Sequence, residues 1–205
     1  DQARPAFDQA RKELLVIEKD PAMVTYYLRQ LADEYRNLRI VEGDALIELP
    51  RITSHSPLPT SYKLVGNIPY YITGPRLRLV GELKHKPACA VFTVQKEVAE
   101  RVCAQPPKMN LLGASVQAWA DVEIVRYISK KSFRPSPRVD SAIIKIVPHQ
   151  ERPDPNFYPF LHALFSHPRK TILNNLRGLD LPREMIEKGL SEAGINTKAR
   201  PQGTS

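Results

Sequence analysis

The chain has 205 residues, 42% hydrophobic and 25% charged, which suffices for one sizeable core with a small second unit and excludes a disordered polymer. Thirty Lys and Arg against twenty-two Asp and Glu give a net charge of +8 and a pI of about 9.5, which suits a polyanionic partner as well as it suits a solvated basic surface. No apolar run reaches membrane-span length, no signal-peptide plan opens the chain, Cys89 and Cys103 form no C-x-x-C pair, and no two histidines stand at i, i+4 around a carboxylate. A cytoplasmic protein with free thiols, no metal and no membrane is expected.

In chain order, residues 1–12 read as the tail of a helix, and residues 14–18, 38–42, 63–66, 89–94, 123–128 and 142–147 read as strands. Helical stretches with an apolar stripe fall between them at 22–35, 75–83, 95–104 and 111–120. Strands alternating with helices predict an α/β fold with a mostly parallel sheet. The last two strands are joined by a short segment rich in Ser, Arg and Pro, which suits an antiparallel pair at one end. Residues 148–155 hold three prolines and read as a linker. Beyond them the pattern is helical, over 158–177 and 183–193. The domains expected are therefore 1–149, an α/β domain, and 150–205, a small helical domain.

The sharpest local signal is Asn67-Ile68-Pro69-Tyr70, directly after the strand at 63–66 and so at the carboxyl edge where open α/β sheets bind ligands. The Asn67 side-chain oxygen and the Ile68 carbonyl are two acceptors that Pro69 holds in one direction, and Tyr70 is an aromatic platform. Such a set can orient the two N–H bonds of a nucleobase amine and stack on an unpaired or flipped base. The same four residues also make an ordinary Pro-containing turn with a core tyrosine.

Three longer motifs decide between these readings: N-I-P-Y-Y-I-T at 67–73, Q-K-E-V-A-E-R-V at 95–102 and S-F-R-P-S-P-R-V-D-S-A at 132–142. With them the chain resembles the ribosomal RNA adenine dimethyltransferase family, both the small-subunit enzymes and the related erythromycin-resistance methyltransferases, from about Leu14 to about Gly203. The resemblance implies a Rossmann-like methyltransferase sheet with a C-terminal helical RNA-binding domain, S-adenosyl-L-methionine as cofactor, the small ribosomal subunit and its RNA as partner, and a monomer.

Carried onto this chain, the resemblance makes Asn67, Ile68, Pro69 and Tyr70 catalytic. Glu18, in V-I-E-K-D-P, matches the acidic residue that binds the cofactor ribose, with Lys19 beside it. Asp44, in G-D-A-L, matches the residue that contacts the cofactor adenine, with Ala45 beside it; Asn67 also borders the cofactor. Read alone, an Asp after a strand is more often a turn former or helix cap. Phe133 matches an aromatic near the target base, opposite Tyr70, although it could also plug the core. Lys130, Lys131, Arg134 and Arg138 around it suit phosphates or solvent. In H-P-R-K-T-I-L-N-N-L at 167–176, Arg169 and Lys170 are expected to face RNA while Ile172, Leu173 and Leu176 pack inside. Methyl transfer from a sulfonium needs no strong base, so 95–102 is read as structural, with Lys96–Glu100 and Glu97–Arg101 pairs.

The chain lacks the Asn-Phe-Leu-type motif and the G-x-G-x-G turn with which family members begin, and it stops where they usually continue for another helix. Both domains are therefore expected to be incomplete, the first at its N-terminus and the second at its C-terminus. Dimethylation of adenine N6 in small-subunit RNA is the leading expectation. A non-catalytic ribosome-assembly or RNA-binding factor, a large-subunit methyltransferase of the erythromycin-resistance type and, more remotely, a DNA adenine methyltransferase are the alternatives.

Overall fold

The computed structural model describes residues 13–55, 61–67, 73–149, 151, 153–154, 156–179 and 181–204; the helix tail expected at 1–12 lies outside them. Two compact units result, one from the chain up to Pro59 with Leu83–His85, the other from Thr60–Glu82 and Lys86–Ser205.

In the first unit, β1 (Leu14–Glu18) and β2 (Leu38–Glu42) pair in parallel, from Leu14 opposite Leu38 to Glu18 opposite Glu42. Between them Asp20 caps a helical run, accepting the Ala22 N–H at 2.8 Å with Pro21 in the first position, where a missing N–H costs nothing. That run is α1 (Pro21–Met23), a π-helical stretch (Val24–Leu28) and α2 (Arg29–Glu34), so the helix expected over 22–35 has a wider turn in its middle. A helix that sequence reading does not anticipate, α3 (Ala45–His55), follows β2. Pro50 at its centre and the poor helix formers Ile52, Thr53 and Ser54 mask it. Buried Thr53 satisfies its hydroxyl locally by donating to the Leu49 carbonyl at 2.9 Å.

The second unit is built on a four-stranded sheet in the order β3–β4–β6–β5, comprising β3 (Lys63–Asn67), β4 (Cys89–Gln95), β5 (Ala120–Ile128) and β6 (Ser141–Pro148). β3 and β4 are parallel; β6 runs antiparallel to both β4 and β5, which includes the expected antiparallel pair. Alternation selects the buried face: Ala90, Phe92 and Val94 on β4 and Ala142, Ile144 and Ile146 on β6 point the same way, two residues apart. Leu77 and Val80 of α4 (Thr73–Glu82), Ala99 and Val102 of α5 (Lys96–Val102) and Val116 of α6 (Leu111–Gln117) join this core together with Trp119. Cys89 and Cys103 are half-buried free thiols, and burial raises the Cys103 pKa.

Beyond the linker, α7 (Phe157–Leu164), α8 (Ile172–Leu176) and α9 (Arg183–Glu192) form a second core around Ile172, Leu176, Ile186 and Leu190. Leu161 and Phe165 meet Met109 in a third cluster, with Leu111 and Ala114 of α6 packed against it. The helix expected over 158–177 is broken by a turn at 166–171 that contains Pro168. Buried Asn175 holds that turn: its amide donates to the Leu164 carbonyl at 2.8 Å and the His167 carbonyl at 3.1 Å. Gly194 closes α9 with a left-handed φ of 67°, its N–H bonding the Ser191 carbonyl while the Ile195 N–H bonds that of Leu190. This is a Schellman cap, in which glycine relieves the positive φ. Among the described residues no helix is long and apolar enough to cross a membrane.

A Cβ on Gly81 would stand 2.7 Å from the buried Trp119 indole, so Gly81→Ala is expected to destabilise by about 1–3 kcal/mol, read as a lower urea midpoint at unchanged slope. Asn175→Ala removes two hydrogen bonds to carbonyls in a buried setting and is expected to cost about 1–3 kcal/mol in the same experiment. Burial pushes the Tyr62 phenol up to about 12. An unfolded tyrosine ionises near its ordinary value of about 10 and the folded one does not, so this contribution is complete below pH 10 and is lost as pH rises toward 12. Thermal unfolding of Tyr62→Phe between pH 9 and 12 is expected to fall less steeply than that of the parent; parallel curves would refute it.

Candidate functional site

In the first unit the candidate cofactor residues gather at the carboxyl ends of β1 and β2. Glu18 ends β1, and its Oε1 accepts the backbone N–H groups of Lys19 at 2.7 Å and Asp20 at 2.8 Å. The half-buried carboxylate is thereby fixed in place, and these contacts leave Oε2 available to a hydroxyl. Gly43 after β2 donates its N–H to the Glu18 carbonyl at 2.8 Å, tying the two loops together.

Asp44 serves first as a cap. Its Oδ1 accepts the Leu46 N–H at 2.9 Å, and its carbonyl accepts those of Ile47 and Glu48, so α3 opens at Ala45 immediately behind it. Its other oxygen, Oδ2, receives Lys19 Nζ at 2.9 Å. Glu18, Lys19, Asp44 and Ala45 thus share one sheet edge, with two carboxylates held by backbone donors and the Lys19 ammonium paired to the second. A carboxylate for a diol and a second for an exocyclic amine make an acceptor set that fits the adenosine part of S-adenosylmethionine. The Lys19–Asp44 ion pair is the part that sequence reading does not supply, because it joins residues from different loops.

In the second unit, Asn67 is the last residue of β3, opposite Thr93 of β4, and is exposed at the carboxyl end of both strands. Ile68, Pro69 and Tyr70 lie outside the described residues. Phe133 is half-buried in the connection between β5 and β6, just after a 3₁₀ turn (Lys130–Ser132). Asp140 anchors this connection: its Oδ1 accepts the Lys130 N–H at 2.9 Å, and its carbonyl accepts the Lys96 N–H at the start of α5 at 3.0 Å. The Ser136 hydroxyl donates to the Lys130 carbonyl at 2.9 Å, closing the loop on itself.

Lys130, Lys131, Arg134 and Arg138 are all exposed on that connection, and none of their side chains is paired among the described residues. Lys130 and Arg138 line an open cleft of about 330 Å³ with Val139, Asp140, Lys96, Glu97 and Glu100. The structural reading of 95–102 is corrected in part. Lys96 and Glu100 do pair, at a loose 4.0 Å, but no Glu97–Arg101 pair forms among the described residues; Glu97 lines the cleft instead. In the helical segment, Arg169 and Lys170 are exposed on the 166–171 turn that Asn175 holds, whereas Ile172 and Leu176 are buried and Leu173 half-buried. Among the described residues no group of His, Cys, Asp and Glu could hold a metal ion.

The model of the ribosomal RNA adenine dimethylase family matches residues 2–204. Proteins named ribosomal RNA small subunit methyltransferase A are similar along most of the chain. That of Dehalococcoides mccartyi is 36% identical over 199 residues, covering 94% of this chain and 67% of its own length. That of Chlorobium chlorochromatii is 35% identical, covering 84% and 68%, and that of Clostridium botulinum 33% identical, covering 95% and 72%. Among solved structures, a dimethyladenosine transferase from Plasmodium falciparum superimposes with a TM-score of 0.75 at 24% identity, covering 94% of this chain and 78% of that one. The 23S rRNA methyltransferase ErmE does so with a TM-score of 0.73 at 24% identity, covering 99% and 81%. Likeness at that identity establishes the α/β, Rossmann-like methyltransferase fold. The match over residues 2–204, with relatives above 30% identity, places the chain in the ribosomal RNA adenine dimethylase family.

Proposed function

We propose that this chain acts, as a cytoplasmic monomer, in S-adenosylmethionine-dependent dimethylation of adenine N6 in small-subunit ribosomal RNA. The observation that carries the proposal is the family match along the chain, with relatives named for the small ribosomal subunit. The solved large-subunit enzyme is like this chain at 24% identity, which supports a shared fold and not a shared substrate.

S-adenosylmethionine, when bound, supplies a methyl group on a positively charged sulfur. Glu18 is the acceptor for its ribose hydroxyls, and Asp44, flanked by Lys19 and Ala45, is the acceptor for its adenine amine. The arrangement of these residues at one strand edge supports both roles. Asn67 and the Ile68 carbonyl orient the target amine through its two N–H bonds, Pro69 stiffens their presentation, and Tyr70 and Phe133 sandwich the unstacked base. Held so, the amine would be the acceptor of the methyl group that bound S-adenosylmethionine would supply. Proximity and orientation supply most of the rate. Lys130, Lys131, Arg134 and Arg138 near Phe133, and Arg169 and Lys170 on the helical segment, neutralise backbone phosphates. Residues 1–149 are the catalytic domain in this reading and residues 150–205 the RNA-binding one.

The test is transfer of labelled methyl to small ribosomal subunits that lack the modification, with large subunits as control acceptors. Asn67→Ala is expected to lose about 10²–10³-fold in kcat, the usual worth of a group that orients the reacting atoms; unchanged turnover would remove Asn67 from the mechanism. Glu18→Gln is expected to weaken S-adenosylmethionine binding by about tenfold in calorimetry, the loss of one charge-assisted hydrogen bond. Salt-sensitive binding to subunits with neither methyl transfer nor cofactor affinity would favour the non-catalytic assembly factor.

A further inference from the structure

The cleft between the start of α5 and the β5–β6 connection contains two of the cations assigned to phosphates above, Lys130 and Arg138, but the carboxylates in its lining are unusual for a phosphate site. Lys96, Lys130 and Arg138 bring three cations to it, and Glu97, Glu100 and Asp140 bring three carboxylates. Asp140 is committed to the Lys130 N–H, and Glu100 faces Lys96 at 4.0 Å. Glu97 is exposed, and its side chain, like those of Lys130 and Arg138, makes no hydrogen bond or ion pair with any described residue. Lys96 Nζ lies 5.4 Å from the centre of the half-exposed Tyr127 ring, which holds the ammonium at the rim. A volume of about 330 Å³ stands at the small end of ligand-sized clefts, roughly 300–1,000 Å³.

Unpaired cations beside an unpaired carboxylate, on a strongly basic chain, match one nucleotide of an RNA strand: phosphate for the cations, a base edge for the carboxylate. The carboxylate also selects the base. An ionised Glu only accepts, and two neighbouring N–H donors satisfy both of its oxygens. Guanine offers N1–H and N2–H side by side on its Watson–Crick edge. Adenine and cytosine set an acceptor nitrogen beside their amine, and uracil sets its single N–H between two carbonyls.

We propose that this cleft is a guanine subsite for single-stranded RNA near the target adenine, with Glu97 accepting from N1–H and N2–H and with Lys130 and Arg138 on the phosphate. The inference rests on the adenine-methylation reading and adds sequence specificity to it. Phe133 and the cleft residues share one connection, whose two ends Asp140 ties to Lys130 and to α5, so a nucleotide held in the cleft sets the register of the strand relative to Phe133.

Fluorescence anisotropy with a labelled RNA hairpin tests it. The hairpin carries one loop guanosine beside an adenosine, and in its partner inosine replaces that guanosine, deleting the N2 amine alone. The parent chain is expected to bind the guanosine hairpin about tenfold more tightly, the worth of one good bidentate base contact. In Glu97→Gln the two hairpins are expected to bind equally. Arg138→Ala is expected to weaken both alike and to flatten the salt dependence by about one phosphate contact. Equal binding by the parent, or a preference that survives in Glu97→Gln, would overturn the guanine subsite and leave adenine methylation standing. Failure of the parent to bind either hairpin would also overturn the guanine subsite, while methyl transfer to small subunits separately decides the adenine-methylation reading.

Discussion

Parallel pairing decides which end of each strand can carry chemistry. Because β1 and β2 run together in register, Glu18 and the Glu42-Gly43-Asp44 turn emerge at one edge. Because β3 and β4 do the same, Asn67 emerges beside the end of β4 and the start of α5. An antiparallel arrangement of either pair would send these residues to opposite ends. The candidate cofactor residues and the candidate base-orienting residue are therefore consequences of strand direction before they are consequences of side-chain identity. The backbone then fixes the carboxylates: Glu18 is held by the two N–H groups that follow it, and Asp44 by the first turn of the helix it caps. Fixed acceptors of this kind lose little orientational freedom when a ligand arrives.

Where β6 enters the sheet, direction reverses, and the connection that reverses it carries Phe133 and four of the candidate RNA-binding cations. A loop so rich in like charge repels itself and would sample many conformations. Asp140 counters this by binding the Lys130 N–H at one end of the connection while its carbonyl engages α5. The price is one carboxylate in a basic segment, and the return is a loop whose aromatic and cations keep their order along an RNA strand. In the helical segment Asn175 has the same part, holding the turn that displays Arg169 and Lys170.

The strands were legible because burial is one-sided. The alternation of Ala90, Phe92 and Val94 and of Ala142, Ile144 and Ile146 follows directly from a sheet with one covered face, so periodicity located both strands to within a residue or two. The helix at Ala45–His55 was not legible, since local propensity argues against Pro50 in its interior, and the Asp44 cap together with packing around buried Leu49 and Thr53 sustains it. The break at 166–171 escaped a reading by apolar period because Ile172 and Leu176 continue that period after the turn. In the site, residue types at strand ends could be read from the sequence, as with Glu18, Asp44 and Asn67. Pairings between residues apart in sequence could not: Lys19 with Asp44 from another loop, Asp140 with Lys130 across one connection, and Glu97 with the basic cleft in place of Arg101 all depend on how the chain folds in space.

The central claim is the identity of the modified atom. Small ribosomal subunits lacking the modification, incubated with this chain and methyl-labelled S-adenosylmethionine and then digested to nucleosides, test it most directly. The account predicts label that co-migrates with N6,N6-dimethyladenosine. Label in any other nucleoside, or subunits that bind the chain and remain unlabelled, would contradict it.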